Sequence, residues 1–279
     1  VYKRQGMGTR ISRAKRQLAR AGARFTPPTD ADRADRVAAV MQVLYLIFNE
    51  GYTTSSGDEL TRVDLTHEAI RLTRVLRDTL PADDATTAEA TGLLALMLLT
   101  EARRPARTGD DGELVPLEEQ DRTRWRADLI REGTALIDGV RHRREIGPYR
   151  LQAAIAAVHA TAESPDRTDW PRIAALYLWL ERLTPTAPVR LSRVVAVARA
   201  HGPGRGLALL DDLNRRHGLD QDPLTRQRER AVRAHLLQLT GDTADAAALY
   251  REAAALTDNH VEQRYLRDKA DRLDPPDRR

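Results

Sequence analysis

The polar stretch FNEGYTTSSGDE, residues 48–59, carries more acidic and hydroxyl side chains than a connection between two helices needs. Three arginines follow within residues 103–107. Carboxylates and guanidinium groups of these two stretches can form a structural network of ion pairs, or they can line a pocket for a small signal or a partner's peptide. Both interpretations stay open, and the structural one is preferred. The candidate residues are Asn49, Glu50, Tyr52, Asp58, Glu59, Arg103, Arg104 and Arg107.

The sequence motifs that would indicate catalysis or metal binding are incomplete. His67-Glu68 resembles the start of a zinc-protease HExxH motif, but position 71 is an arginine where the second histidine would stand. The seven histidines are scattered singly, and the absence of cysteine excludes disulfides and thiolate metal sites. The glycine-rich run at residues 202–206 lacks a preceding strand and is better explained as a turn between helices. We therefore expect no catalytic residue, no metal and no cofactor.

The N-terminal arm is strongly basic. Residues 1–24 contain eight lysines and arginines and no acidic residue, whereas the whole chain has a formal net charge of only +4. The rest of the chain is therefore mildly acidic. Met7, Ile11, Ala14 and Leu18 fall on one face of a predicted helix, and arginines repeat every three residues on another. Such a helix can contact a polyanion with its basic side while its apolar side packs on protein.

Two prolines in FTPPTD, residues 25–30, predict the end of this arm and a domain boundary. We expect residues 1–25 and 30–279 to form separate parts, with residues 1–5 as the edge of a truncated reading frame. The longest apolar run, residues 93–99, is too short to span a bilayer, and the N-terminus lacks the apolar core of a signal peptide. These features predict a cytoplasmic protein without membrane contact.

Amphipathic helices flank the polar stretch at residues 48–59. Predicted buried stripes are Val37, Val40, Leu44 and Ile47 before it, and Leu65, Ala69, Leu72 and Leu76 after it. Gly51 is expected to end the first helix in a left-handed conformation, and Thr61 with Asp64 is expected to start the second as a capping pair. Thr86 with Glu89 predicts a capping box for a central helix that is apolar almost all round. Residues 103–120 are predicted to be the longest irregular connection.

The remaining chain predicts an all-α array of helix hairpins. Aromatic residues are only 4% of the sequence, and alanine and leucine dominate, which favours close-packed helices. The clearest unit has Gly241-Asp242 as its turn, Ala234 and Leu237 as packing positions of its first helix, and Ala246, Tyr250, Ala253 and Leu256 in or after its second. Small residues let neighbouring helices approach, a spacing typical of tetratricopeptide repeats. Residues 188–201 and 203–217 predict an earlier pair, and residues 260–273 predict a final capping helix.

Several blocks resemble one family in the same order. They are NEGYTTSSGDELTRVDLTHEAIRLTR (49–74), LLALMLLTEARRPAR (93–107), DGELVPLEEQDRTRW (111–125), GPYRLQAAIAAVHA (147–160), TDWPRIAALY (168–177) and GPGRGLALLDDL (202–213). Together they make residues 7–266 similar to the C-terminal part of bacterial extracytoplasmic-function sigma factors that carry a tetratricopeptide-like extension. The resemblance implies an α-α superhelix, preceded by the remnant of a helix-turn-helix recognition helix.

The resemblance also implies roles and partners. The early residues of the recognition helix would contact promoter bases, and later ones would contact the DNA backbone; the residues in question are Thr9, Arg10, Ser12, Arg13, Lys15, Arg16 and Arg20. Core RNA polymerase and promoter DNA are the implied partners of the intact protein, and its own sigma regions or a signalling protein are further candidates. The polymerase-binding region of such a factor has no counterpart in this sequence, which puts independent sigma activity of the chain in doubt.

Two other functions remain as alternatives. A stand-alone helical-repeat adaptor would use its basic arm to bind acidic proteins or RNA without promoter specificity. An enzyme built on the FNEGY stretch would need a substrate-sized pocket with perturbed carboxylates, and the sequence offers no mechanism for one.

Overall fold

The computed structural model describes residues 16–17, 29–54, 61–82, 84–109, 112–143 and 145–274. The chain divides into two compact units, residues 1–39 and 40–279. In the first unit the described residues are Arg16 and Gln17, which are helical and exposed, and residues 29–39, which begin a long helix. Everything that follows about packing concerns the second unit.

The described residues are helical with no β-strand, apart from one isolated bridge between Thr108 and Leu114, so the all-α prediction is confirmed. The α-helices are α1 (Asp30–Tyr52), α2 (Val63–Thr79), α3 (Ala85–Glu101), α4 (Ala127–Val140), α5 (Pro148–Thr161), α6 (Trp170–Leu183), α7 (Ala187–His201), α8 (Pro203–His217), α9 (Arg226–Thr240), α10 (Thr243–Ala255) and α11 (His260–Leu273). Short 3-10 turns lie at Arg104–Ala106, Arg122–Arg124 and Pro165–Arg167.

Helices pack mainly on their neighbours in sequence, as a hairpin array requires. Helices α7 and α8 form one hairpin around Gly202, and α9 and α10 form the next around Gly241; both glycines have positive φ, at 97° and 93°. In addition, α3 packs on α5, and α7 packs on α9. We call α3, α5, α7, α9 and α11 the first helices, because each begins a hairpin or, for α11, closes the array.

Helix α3 is the central helix, as its sequence predicts. Leu93, Leu94 and Met97 are fully buried, and the helix packs on α2, α4 and α5. The predicted capping box is wrong, because Asp84 caps α3 by accepting a hydrogen bond from the backbone N–H of Thr86 at 2.9 Å. Glu89 caps α5 instead, since its carboxylate accepts the backbone N–H groups of Gly147 and Tyr149, each at 3.0 Å. Burial raises the pKa of Glu89 despite these bonds.

The predicted repeat unit is confirmed in its small positions. Ala234, Ala246 and Ala253 are fully buried, and Tyr250 is 3% exposed. Two leucine positions are wrong: Leu236 rather than Leu237 is the fully buried leucine of α9, and Leu256 is 41% exposed after the end of α10.

The stripes of α1 and α2 are rotated from their predicted positions. In α1 the predicted Leu44, and Val37 in the first unit, are buried, but Met41 and Phe48 are buried in place of Val40 and Ile47, and Val40 is 45% exposed. In α2, Thr66, Ala69, Ile70 and Thr73 are buried, and the predicted leucines are only half-buried. Threonine can occupy this interface because its hydroxyl bonds within the helix: Thr73 donates to the carbonyl of Ala69 at 2.7 Å. Small residues then allow closer helix contact than leucine would.

Both predicted caps around the polar stretch are wrong. Gly51 lies inside α1 and does not have positive φ. Its role is a close approach of two chain segments, because an added Cβ would lie 2.7 Å from the Thr66 nitrogen and 2.8 Å from the Arg62 oxygen. Helix α2 begins after Arg62 without a side-chain cap, and Asp64 pairs with the Arg62 guanidinium at 2.8 Å.

Among the described residues, no helix combines the length and apolar character needed to cross a bilayer.

Candidate functional site

The predicted DNA-contact residues lie almost entirely outside the described part of the chain. Thr9, Arg10, Ser12, Arg13, Lys15 and Arg20 are outside it, and Arg16 is exposed in a helical turn. The DNA-binding role therefore stays a prediction.

The two polar stretches meet at one point. The Arg107 guanidinium lies 3.8 Å from the centroid of the Tyr52 ring, donates to the Tyr52 carbonyl, and donates to the Thr53 hydroxyl at 2.9 Å. Burial lowers the pKa of Arg107. Arg107 therefore ties the end of α1 to the connection after α3, through a carbonyl, a hydroxyl and a ring rather than through a carboxylate. Asn49 and Glu50 are exposed, and Asp58 and Glu59 lie outside the described residues.

Arg104 and Arg103, the other two candidate arginines, differ in their side-chain partners. Arg104 pairs with Glu101, whose carboxylate also lies 3.7 Å from His67 Nε2. The described residues contain no group of histidine and acidic side chains that could hold a metal ion. Arg103 is half-buried, and it has neither a hydrogen bond nor an ion pair with any side chain in the described ranges.

The connection between α3 and α4 takes a path that the sequence does not reveal. We call residues 112–121 the acidic strap. Glu118 Oε1 forms an ion pair with Arg199 Nη1 on α7 at 2.8 Å, and Glu119 Oε1 lies 3.8 Å from Lys269 Nζ on α11. The strap thus reaches two first helices of the array, α7 and α11. Since its partners lie some 80 to 150 residues later in the chain, no local pattern could predict the contacts.

The charges of the strap's glutamates also affect the pKa values of titratable groups on α9 and α11. Burial raises the pKa of Tyr265 on α11 to about 12, and the charges of Glu119 and Glu118 raise it further. Burial also lowers the pKa of His235 on α9, which the charge of Glu118 partly opposes. We call Arg199, His235, Tyr265 and Lys269 the basic face. Its chemistry is that of a surface that holds an acidic peptide.

Two further long-range contacts fix the connection after α1 and the segment that follows the strap. The side-chain nitrogen of Asn259, which also caps α11, donates to the carbonyl of Thr54 at 2.9 Å. After the strap, Arg122 donates to the carbonyls of His159 and Ala162 at the end of α5, at 2.9 and 2.7 Å. Connections near the N-terminal end of this unit are therefore bonded to helices much later in the chain. Sequence reasoning missed Asn259 and Arg122 as anchors.

Comparisons with known proteins match the chain without indicating what it does. Residues 36–140 match the model of a family of unknown function, DUF6596. The chain is 43% identical over 275 residues to "Uncharacterized protein R00370" of Rhizobium meliloti (strain 1021), in an alignment that covers 96% of this chain and 61% of that relative. The chain therefore spans less than two thirds of the relative's length. No solved structure matches it.

Proposed function

We propose that this chain is part of an alternative sigma factor of the extracytoplasmic-function type, whose helical body is a protein-interaction module that supports or regulates transcription initiation. The sigma assignment is supported by the sequence resemblance over residues 7–266 and by the basic arm, whose charge suits DNA. The interaction module is supported by the helical body, because hairpin arrays offer extended surfaces to partner peptides.

The observation that carries the interaction module is the acidic strap on the basic face. The strap is already a bound acidic peptide, in ion pairs with first helices α7 and α11. Its two glutamates are half exposed, at 43% and 55%, and exposed ion pairs contribute only about 0–1 kcal/mol each. An acidic segment of a partner can therefore replace the strap at low energetic cost. The partner that the resemblance implies is core RNA polymerase or another region of the sigma factor itself.

Binding of the purified chain to core RNA polymerase tests this proposal, with fluorescence anisotropy of a labelled chain as the readout. We expect Arg199→Gln with Lys269→Gln to weaken binding, by up to about fivefold per lost pair. Glu118→Gln with Glu119→Gln should strengthen it, because the strap no longer competes. Arg131→Gln, an exposed change on α4, is the matched control. Equal affinity of all four proteins would contradict an interaction at the basic face.

The basic arm separates the sigma function from the adaptor alternative. In a selection from random duplex DNA with the intact protein, promoter recognition predicts enrichment of one sequence motif, and Arg10→Ala with Arg13→Ala should abolish that enrichment. Binding that falls with salt and enriches no motif would favour the adaptor. The adaptor alternative is favoured by the basic face itself, which can bind an acidic protein without any DNA.

A further inference from the structure

Three buried N–H donors close to the end of the strap lack an acceptor within the described residues. They are Arg122 Nε, Trp125 Nε1 and Trp170 Nε1. Each of these atoms can only donate, and buried donors in folded proteins almost always have partners. Trp125 is 7% exposed, so its indole N–H is shielded from bulk water. Three such donors in one neighbourhood indicate an acceptor that the described residues do not supply.

The donors belong to one cluster of side chains. The Arg122 guanidinium lies 4.6 Å from the centroid of the Trp125 ring, and its Nη1 donates to the carbonyl of His159. The His159 ring meets the Trp170 ring edge-on, with centroids 5.2 Å apart. Arg103 follows Ala102, whose carbonyl accepts the backbone N–H of Arg126 at 2.9 Å, and the charge of Arg103 acts on both Arg122 and His159.

The cluster carries positive charge without a counterion. Within the described ranges, neither Arg103 nor Arg122 forms an ion pair with a carboxylate. Burial, and then the charge of Arg103, lowers the pKa of Arg122. Burial together with both arginines lowers the pKa of His159 to about 4, so its ring is neutral at pH 7 and accommodates the two cations. Glu101 pairs with Arg104 through Oε1, and Glu118 pairs with Arg199, whose guanidinium lies 5.1 Å from the centroid of the Trp170 ring.

We propose that Arg103, Arg122, Trp125 and Trp170 bind a phosphate group. Two guanidinium groups match the charge of a phosphate dianion, and the unpaired Arg122 Nε–H and indole N–H groups supply further donors to its oxygens. A single carboxylate offers fewer acceptor positions and less charge. The phosphate can be inorganic phosphate or the phosphate of a nucleotide, which present the same terminal oxygens. This cluster, rather than the FNEGY stretch, is then the site for a small signal.

Isothermal titration of the whole chain with inorganic phosphate, and separately with AMP, tests the proposal at constant ionic strength and pH 7.5. We expect saturable binding of at least one of them. Arg103→Gln should weaken that binding about tenfold, because it removes one charged bidentate donor. The variant should fold, since the Arg103 side chain forms no bond in the described structure. Tighter binding of AMP would identify a nucleotide, and tighter binding of inorganic phosphate would identify the free ion.

Two tryptophan variants make the test specific to the donors. Trp170→Phe keeps the ring against His159 but removes the N–H, and it should weaken binding several-fold. Trp179→Phe is the matched control, because Trp179 is 59% exposed on α6. Circular dichroism checks that each variant is folded. The proposal is overturned if neither ligand binds, if acetate binds as tightly as phosphate, or if folded Arg103→Gln and Trp170→Phe both bind like wild type.

Discussion

Glu229 is the most completely buried acidic side chain in the described array, and its replacement should be costly. It lies on α9 with no exposed side-chain surface. Its carboxylate accepts from Asn214 on α8 at 2.8 Å, from Arg233 at 3.0 Å and from Arg230 at 2.8 Å. The network joins the second helix of one hairpin to the first helix of the next. It is therefore placed to stabilise the packing between adjacent hairpins.

Glu229→Gln keeps the shape of the side chain and removes its charge. Breaking a buried ion pair from one side costs about 3–5 kcal/mol, because the remaining charge is left without compensation. Here the remaining charges keep other partners, since Arg230 lies 3.2 Å from Glu252 and Arg233 lies 2.8 Å from Asp211. We therefore expect a loss near the lower limit, about 3 kcal/mol in the free energy of unfolding.

Urea unfolding followed by circular dichroism measures this loss. The matched control is Glu252→Gln, which removes a 59% exposed carboxylate from the same arginine and should cost less than about 1 kcal/mol. The denaturant slope should stay unchanged, so that the shift in midpoint reports stability alone. If both variants lose the same free energy, or if Glu229→Gln is as stable as wild type, burial does not strengthen this network and the reasoning is refuted.

Two further predictions concern single positions. Gly51→Ala should lose about 2 kcal/mol of unfolding free energy, because its Cβ would lie within 2.8 Å of backbone atoms. Gly139→Ala, at an exposed position of α4 with no atom within 4 Å of the added Cβ, should gain about 0.5–1 kcal/mol. Urea unfolding compares the two variants, and equal effects would contradict the close approach at Gly51. The pKa of His159 is lowered to about 4, below its ordinary 6.5, so the unfolded chain binds the proton more readily between these values. The free energy of unfolding should therefore fall as the pH is lowered from 6.5 to 4. In His159→Phe this decrease should be smaller by up to about 3 kcal/mol. If the variant shows the same pH dependence as wild type, His159 does not contribute to it.

Local signals predicted the second half of the array well. Pro203 after Gly202, and Gly241 before Asp242, start and end helices by backbone conformation alone, so their consequences are visible in a few residues. The alanine positions of α9 and α10 were predictable for a related reason. Close helix packing needs small side chains, and the alanines at 234, 246 and 253 are all fully buried.

Contacts between residues far apart in the chain explain most of the predictions that are wrong. Glu89 lies at the position of a capping box in α3, but its carboxylate accepts hydrogen bonds from the N-terminus of α5 instead. The threonines of α2 can be buried like apolar residues, because their hydroxyls donate hydrogen bonds to carbonyls of the same helix. The contacts of the strap and of Asn259 join residues far apart in the chain, and hydrophobic periodicity carries no information about them.

The acidic strap has a consequence for how the body folds. A simple repeat array unfolds in pieces, because each unit touches only its neighbours and the ends can fray independently. Here a segment before α4 is bonded to α7 and α11, and Thr54 is bonded to the cap of α11. The terminal helix is thus coupled to the beginning of this unit, which raises contact order and slows folding. We expect α11 to fray less readily than the terminal helix of an array without such contacts.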